Sequence, residues 1–216
     1  MKKVAVILSG CGVYDGAEVT ESVLTLLTLE QAGADYQCFA PNINQHHVIN
    51  HITGEEMTET RNVLVESARI VRGNIQDIKL AKAEDVDAVI FPGGFGAAKN
   101  LSDFAFAGEK AQINPEVSRL VSEMQQANKP VGFICISPAM IPKLYPESTQ
   151  LSIGNDKETA ETIEKMGGTH IICLVQDIVI DKAHKVVSTP AYMLAERIGE
   201  AQQGITKLVT AVLNMA

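Results

Sequence analysis

The 216-residue chain contains no tryptophan, and aromatic residues make up 5% of it. Base-stacking platforms for single-stranded nucleic acid need such rings, so that function class is disfavoured. No basic run exists, and the formal charge is −8. That balance repels phosphate backbones and anionic lipid, which argues against nucleic-acid and membrane partners. No apolar stretch approaches the roughly 18 residues that span a bilayer. The four cysteines (Cys11, Cys38, Cys135 and Cys173) form no CxxC pair and no zinc spacing. A reduced, cytoplasmic compartment is the expectation from that usage. Cys11, Cys38 and Cys173 read as small core residues. Met1-Lys2-Lys3 before Val4-Ala5-Val6-Ile7-Leu8 resembles a signal peptide. Its apolar part is shorter than the roughly 7–15 residues of a secretory segment, so it reads as a first strand.

What is present is an alternation of strands and helices. Apolar runs within Lys3–Leu8, Asp87–Phe91 and Pro130–Cys135 read as buried strands, and Asp35–Ala40 reads as a further strand stopped by Pro41. Helical spacing is seen over Glu18–Ala32, with Val19, Val23, Leu26 and Leu27 as its apolar positions. Further helices are expected at Thr58–Val71, Pro115–Asn128, Asp156–Met166 and Pro190–Leu213. A hairpin is expected from Ile178–Ile180 and Lys185–Ser188. No linker or repeat divides the chain. The expectation is one α/β domain over residues 1–216, a doubly wound, mainly parallel sheet between helix layers.

In such folds ligands bind beyond the carboxyl ends of the strands. Three features fall there: Gly10-Cys11-Gly12, Gly93-Gly94 and Cys135. Cys135 ends a buried strand and precedes a helix start at Ile136-Ser137-Pro138. Free backbone N–H groups and a helix dipole at such a corner lower a thiol pKa and make it a nucleophile. The N–H groups after the cysteine are also placed to hold an oxyanion. Glu18 and Glu21 share a face at the first helix start. One of them suits the helix N-terminus as a favourable charge; the other is a proton carrier for the thiol.

Other patterns carry less. Gly10 to Gly16 is near a dinucleotide fingerprint, but Ala40-Pro41-Asn42 stands where the ribose-binding acid belongs. Gly93 to Asn100 lacks the ending of a phosphate-binding Walker loop. His46, His47 and His51 read as a solvated surface cluster rather than a metal site.

Gly16-Ala17-Glu18-Val19-Thr20-Glu21, Phe91-Pro92-Gly93-Gly94 and the Cys135 corner occur in the order seen in the PfpI-type superfamily. That superfamily includes deglycases, glyoxalases, protease-like proteins and, more distantly, class I glutamine amidotransferases. The chain resembles its ElbB-type ("enhancing lycopene biosynthesis") glyoxalases over essentially the whole length. Ser9 to Gly16, Met57 to Leu64 and Pro92 to Leu101 carry that similarity. The resemblance implies a flavodoxin-like α/β fold and a homodimer. It implies Cys135 as nucleophile, Glu21 as the carboxyl group that contacts it, and the N–H groups of Gly94 and Ile136, beside Gly93, as the oxyanion site. It implies no cofactor and no metal.

The chain departs from the superfamily in its histidines. Ile136 follows the cysteine, and Leu151-Ser152-Ile153-Gly154-Asn155 occupies the later region where others carry a histidine. Ser188-Thr189-Pro190 replaces the amidotransferase His-x-Glu. His170 and His184 remain unassigned. Amide hydrolysis, which needs an acid for the leaving amine, is disfavoured. Addition of a thiol to a small dicarbonyl such as glyoxal asks less, and Glu21 alone can shuttle its protons. The expectation is a slow glyoxalase giving glycolate. The alternative is a cysteine-based redox sensor or small-molecule-binding protein linked to isoprenoid metabolism, with Cys11 as the other thiol on a strand-end loop.

Overall fold

A computed structural model describes residues 1–216. Seven strands form its central sheet: β1 (Lys3–Ile7), β2 (Asp35–Ala40), β3 (Ile75–Asp77), β4 (Ala88–Phe91), β5 (Val131–Ile134), β6 (Val179–Asp181) and β7 (Val186–Thr189). Their order across the sheet is β6-β7-β5-β4-β1-β2-β3, and every pair is parallel except β6 with β7. The expected hairpin is that antiparallel edge pair. Ile75–Asp77 has a single apolar residue, so no strand was expected there; it forms an edge strand on β2.

Eight α-helices accompany the sheet: α1 (Val19–Gln31), α2 (Val63–Ile70), α3 (Phe95–Lys99), α4 (Phe104–Ala107), α5 (Pro115–Gln126), α6 (Ile141–Leu144), α7 (Lys157–Lys165) and α8 (Ile198–Met215). Alternate residues of β1 serve opposite faces. Val4, Val6 and Leu8 pack with Leu24 and Leu29 of α1 and Ile205, Leu208 and Val212 of α8. Ala5 and Ile7 belong to the other core, with Val117, Leu120 and Met124 of α5. This is the flavodoxin-like, doubly wound arrangement expected.

Helix α1 corrects the expected apolar face. Val19, Val23 and Leu27 are exposed, while Glu21, Ser22, Thr25 and Thr28 are buried with Leu24, Leu26 and Leu29. The hydroxyls of Ser22, Thr25 and Thr28 donate to the carbonyls of Glu18, Glu21 and Leu24, at 2.7 Å each. Once satisfied in this way, these small polar residues can be buried at little cost. The rotation that buries them also turns Glu21 towards the carboxyl edge of the sheet.

Helix α2 starts at Val63, five residues after the expected start at Thr58. Asn62 is its N-cap, accepting the Val65 N–H at 3.0 Å and donating to Asn42 at 2.8 Å. Asn62→Ala is expected to cost about 1 kcal/mol of stability, measured by urea unfolding. The last helix starts at Ile198, not Pro190. Glu200 accepts the N–H groups of Glu196 and Arg197 there. The segment before it is diverted into the site described next.

Candidate active site

Cys135 follows β5 directly, with φ +64°. A non-glycine residue in the left-handed region costs about 1–3 kcal/mol and needs its surroundings to hold it. Its N–H donates to the Thr189 carbonyl of β7 at 2.9 Å. Ser137 braces the turn: its hydroxyl accepts the Ile134 N–H at 2.8 Å and donates to the Phe91 carbonyl at 2.9 Å. The sheet and the serine thus hold the cysteine at the corner predicted for it.

Glu21 enters from α1 and is fully buried. Its Oε2 accepts the Gly93 N–H at 3.0 Å, and its Oε1 accepts the Tyr192 N–H at 3.2 Å. The carboxyl group faces the Cys135 side chain across Gly93. The N–H groups of Gly94 and Ile136 also face that sulfur. The structure therefore brings Cys135, Glu21, Gly93, Gly94 and Ile136 together. At Gly93, a Cβ would collide with the Cys135 Cβ and lie 2.6 Å from Glu21 Oε2. Only hydrogen fits between nucleophile and acid.

The two acidic glutamates have separate roles. Glu18 is the N-cap of α1; its Oε2 accepts the Glu21 N–H at 2.6 Å. Glu21 has its pKa pushed up to about 8. Burial is the main cause and the neighbouring Glu18 charge the second, opposed by the Tyr192 N–H, the Cys135 thiol and the Gly93 N–H.

The expected depression of the thiol pKa is overturned. Burial and the facing Glu21 carboxylate push Cys135 up, against the Gly94 and Ile136 N–H groups. The helix expected after it is a 3-10 turn over Ser137–Met140 followed by the four-residue α6, too short for a strong dipole. At neutral pH the resting pair is a thiol beside a neutral carboxyl group.

A cavity of about 270 Å³ opens over Cys135. Val13, Phe95, Phe104, Tyr192 and Met193 line it, with Thr159 from α7. No histidine is among its lining residues. The His170 ring accepts the Ile153 N–H at 3.3 Å, and His184 pairs with Asp181 at 3.2 Å. His47 lies 2.9 Å from the Lys99 ammonium, His46 stacks on Phe106, and His51 accepts the Tyr14 N–H. No group of three or more His, Cys, Asp or Glu side chains is placed to hold a metal ion. Cys11 does not line the cavity; the charges around it are those of Glu66, Arg69, Asp15 and Arg61.

The glycine loop folds on itself rather than around a phosphate. The Gly12 N–H goes to Ala17, the Gly16 N–H to Gly12, and the Gly10 N–H to the Ser67 hydroxyl. A larger groove, about 650 Å³ between Lys79, Lys82, Arg119 and Glu123, lies away from Cys135. Apart from Lys79 its charges are paired, Arg119 with Glu116 and Glu123, and Lys82 with Glu84, and no nucleophile lines it, so the chemistry points to the smaller cavity.

Tyr192 and Met193 were not singled out from sequence, although Pro190 directly after β7 signals a break there. Ala191, at φ +40°, is the strained residue that turns the Tyr192 N–H onto Glu21.

A mainly parallel sheet carrying a left-handed cysteine corner faced by a buried carboxyl group is an arrangement of the amidotransferase-like α/β class. No protein-family model matches this chain. A DJ-1 superfamily protein from Salmonella typhimurium shares the fold at 20% identity and a TM-score of 0.61, covering 99% of this chain and 91% of that one. An isoprenoid biosynthesis protein with an amidotransferase-like domain from Ehrlichia chaffeensis superposes at a TM-score of 0.93. It is 38% identical, over 100% of this chain and 99% of that one.

Among curated proteins, the human glutamine amidotransferase-like class 1 domain-containing protein 3, mitochondrial, is 43% identical over 99% of this chain and 83% of its own length. The rat ES1 protein homolog, mitochondrial, is 42% identical over 99% and 84%. The chain belongs to this glutamine amidotransferase-like class 1 (ES1) family. These relatives correct the expectation of a cytoplasmic compartment, since both are named mitochondrial. Four free cysteines indicate a reducing environment, which is a redox property and does not single out the cytosol.

Proposed function

We propose that the chain is a cofactor-independent glyoxalase that converts a small dicarbonyl, glyoxal, into a hydroxy acid, glycolate. The observation that carries this reading is Glu21: a buried carboxyl group facing the only thiol in the cavity, with its pKa pushed up to about 8. It exchanges protons near neutrality, as a general acid–base group must.

Ionised Glu21 takes the thiol proton as the sulfur attacks one aldehyde carbon. The developing alkoxide is held by the Gly94 and Ile136 N–H groups and receives the proton from Glu21, giving a hemithioacetal. Glu21 then removes the remaining C–H proton of that carbon, forming an enediol, and returns a proton to the neighbouring carbon. The first carbon is oxidised to a thioester while the second is reduced to an alcohol. Water cleaves the thioester and restores the thiol. The sum is glyoxal plus water giving glycolate, with no external oxidant or reductant.

The family name suggests amide hydrolysis, and the cavity disfavours it. No charged side chain lines it to hold the ammonium and carboxylate of glutamine, and no histidine is there to protonate leaving ammonia. A role in isoprenoid metabolism rests on the name of the Ehrlichia relative. The test is glycolate production from glyoxal by the purified chain without glutathione; absence of glycolate would end the reading.

A further inference from the structure

The cavity is larger and more apolar than glyoxal requires. Glyoxal has two carbons and two oxygens, all of which the thiol, Glu21 and the Gly94 and Ile136 N–H groups engage at one end. Beyond them the chamber continues between Val13, Phe95, Phe104 and Met193. Nine of its 11 lining residues are hydrophobic and none carries a charge. Its hydroxyl-bearing side chains are Thr159, beside Asp156, and Tyr192, beside Thr20. Phe95 is 44% exposed on this surface. The nearest cation, Lys99, passes 5.1 Å from the Phe95 ring centroid, but its ammonium is tied to the Tyr14 carbonyl at 2.8 Å and to His47. Nothing in the chamber would recognise a phosphate or carboxylate. An apolar group entering it would cover the rings of Phe95 and Phe104.

We infer that the preferred substrates of this site are α-oxoaldehydes bearing an uncharged, apolar substituent, branched alkyl or aryl, rather than unsubstituted glyoxal. The inference rests on the glyoxalase reading and sharpens it. The aldehyde carbon is attacked by Cys135 and the substituent on the adjacent ketone fills the chamber. The reaction balances as before: the aldehyde carbon is oxidised, the ketone carbon is reduced, and water releases an α-hydroxy acid. Each methylene buried in such a pocket is worth about tenfold or more in kcat/KM.

The experiment compares kcat/KM for isopropylglyoxal and glyoxal in the wild type and in Ala105→Phe. Ala105 is exposed and lines the cavity, so the added ring narrows the chamber without entering either core. The expected results are a wild-type ratio favouring isopropylglyoxal at least tenfold and a fall of that ratio by a similar factor in Ala105→Phe. Turnover of both substrates with glyoxal equal or better, or a ratio unmoved by Ala105→Phe, overturns this inference and leaves the glyoxalase reading standing. Turnover of neither substrate overturns both.

Discussion

Cys135→Ala is expected to abolish glycolate formation from glyoxal, and Glu21→Gln to lower kcat at least about 10²-fold. One thiol lines the cavity, one buried carboxyl group faces that thiol, and no histidine lines the cavity to take over either task. The other three cysteines do not line the cavity, so no second nucleophile replaces the lost one. Glu21→Gln has a structural side effect. The two carboxyl oxygens accept from Gly93 and Tyr192 separately, and an amide must set its NH₂ against one of those donors. A buried unsatisfied donor costs about 1–3 kcal/mol, so Glu21→Gln is read beside its unfolding curve. Cys135→Ala carries no such penalty and is the cleaner variant. Full activity in Cys135→Ala would remove the nucleophile from the mechanism.

Gly94→Ala is expected to cost roughly 3 kcal/mol or more in urea unfolding and to remove activity together with stability. Gly94 has φ 89° and ψ 155°, a region open essentially to glycine alone. A Cβ there would collide with the Glu18 nitrogen and the Gly16 carbonyl. Both atoms belong to the entry into α1, where the Glu18 N–H also donates to the Gly93 carbonyl at 3.0 Å. Neither can give way without moving the helix that carries Glu21. Gly33→Ala is the control: its added Cβ meets nothing within 4 Å, and only its φ of +70° opposes the change. A Gly94→Ala protein as stable as Gly33→Ala would contradict the packing described.

The centre of the sheet was legible because β1, β4 and β5 are apolar runs, and Asp35–Ala40 ends where Pro41 stops it. The Cys135 corner was legible because a buried strand runs into Ser137-Pro138. The partnership of Glu21 with Cys135 came from the resemblance; spacing alone left Glu18 and Glu21 equivalent. The structure separates them through the rotation of α1, which hydropathy misplaces because its buried face carries Ser22, Thr25 and Thr28. Their polarity is cancelled by hydrogen bonds to the helix backbone, which composition does not display. Helix periodicity likewise extended α8 back to Pro190, although the residues before Ile198 are spent on placing Tyr192. The direction of the thiol pKa was missed for a further reason. Sequence shows the helix start after Cys135 but not that it is a 3-10 turn followed by a four-residue helix, nor that the sulfur is buried against the Glu21 carboxyl group.

That pKa inversion makes the account testable at one point. The thiol is not a preformed thiolate; it waits for Glu21 to lose its proton. The measurement is the pH dependence of Cys135 alkylation by iodoacetamide in the wild type and in Glu18→Gln. The apparent value belongs to the coupled pair. In the wild type the rate is expected to rise with pH through a limb near 8, where Glu21 becomes the base. In Glu18→Gln the limb moves to lower pH, because the neighbouring charge that holds the Glu21 pKa up is gone. A thiol already fully reactive below neutral pH, or a limb that Glu18→Gln does not move, would contradict Glu21 as the group that activates Cys135.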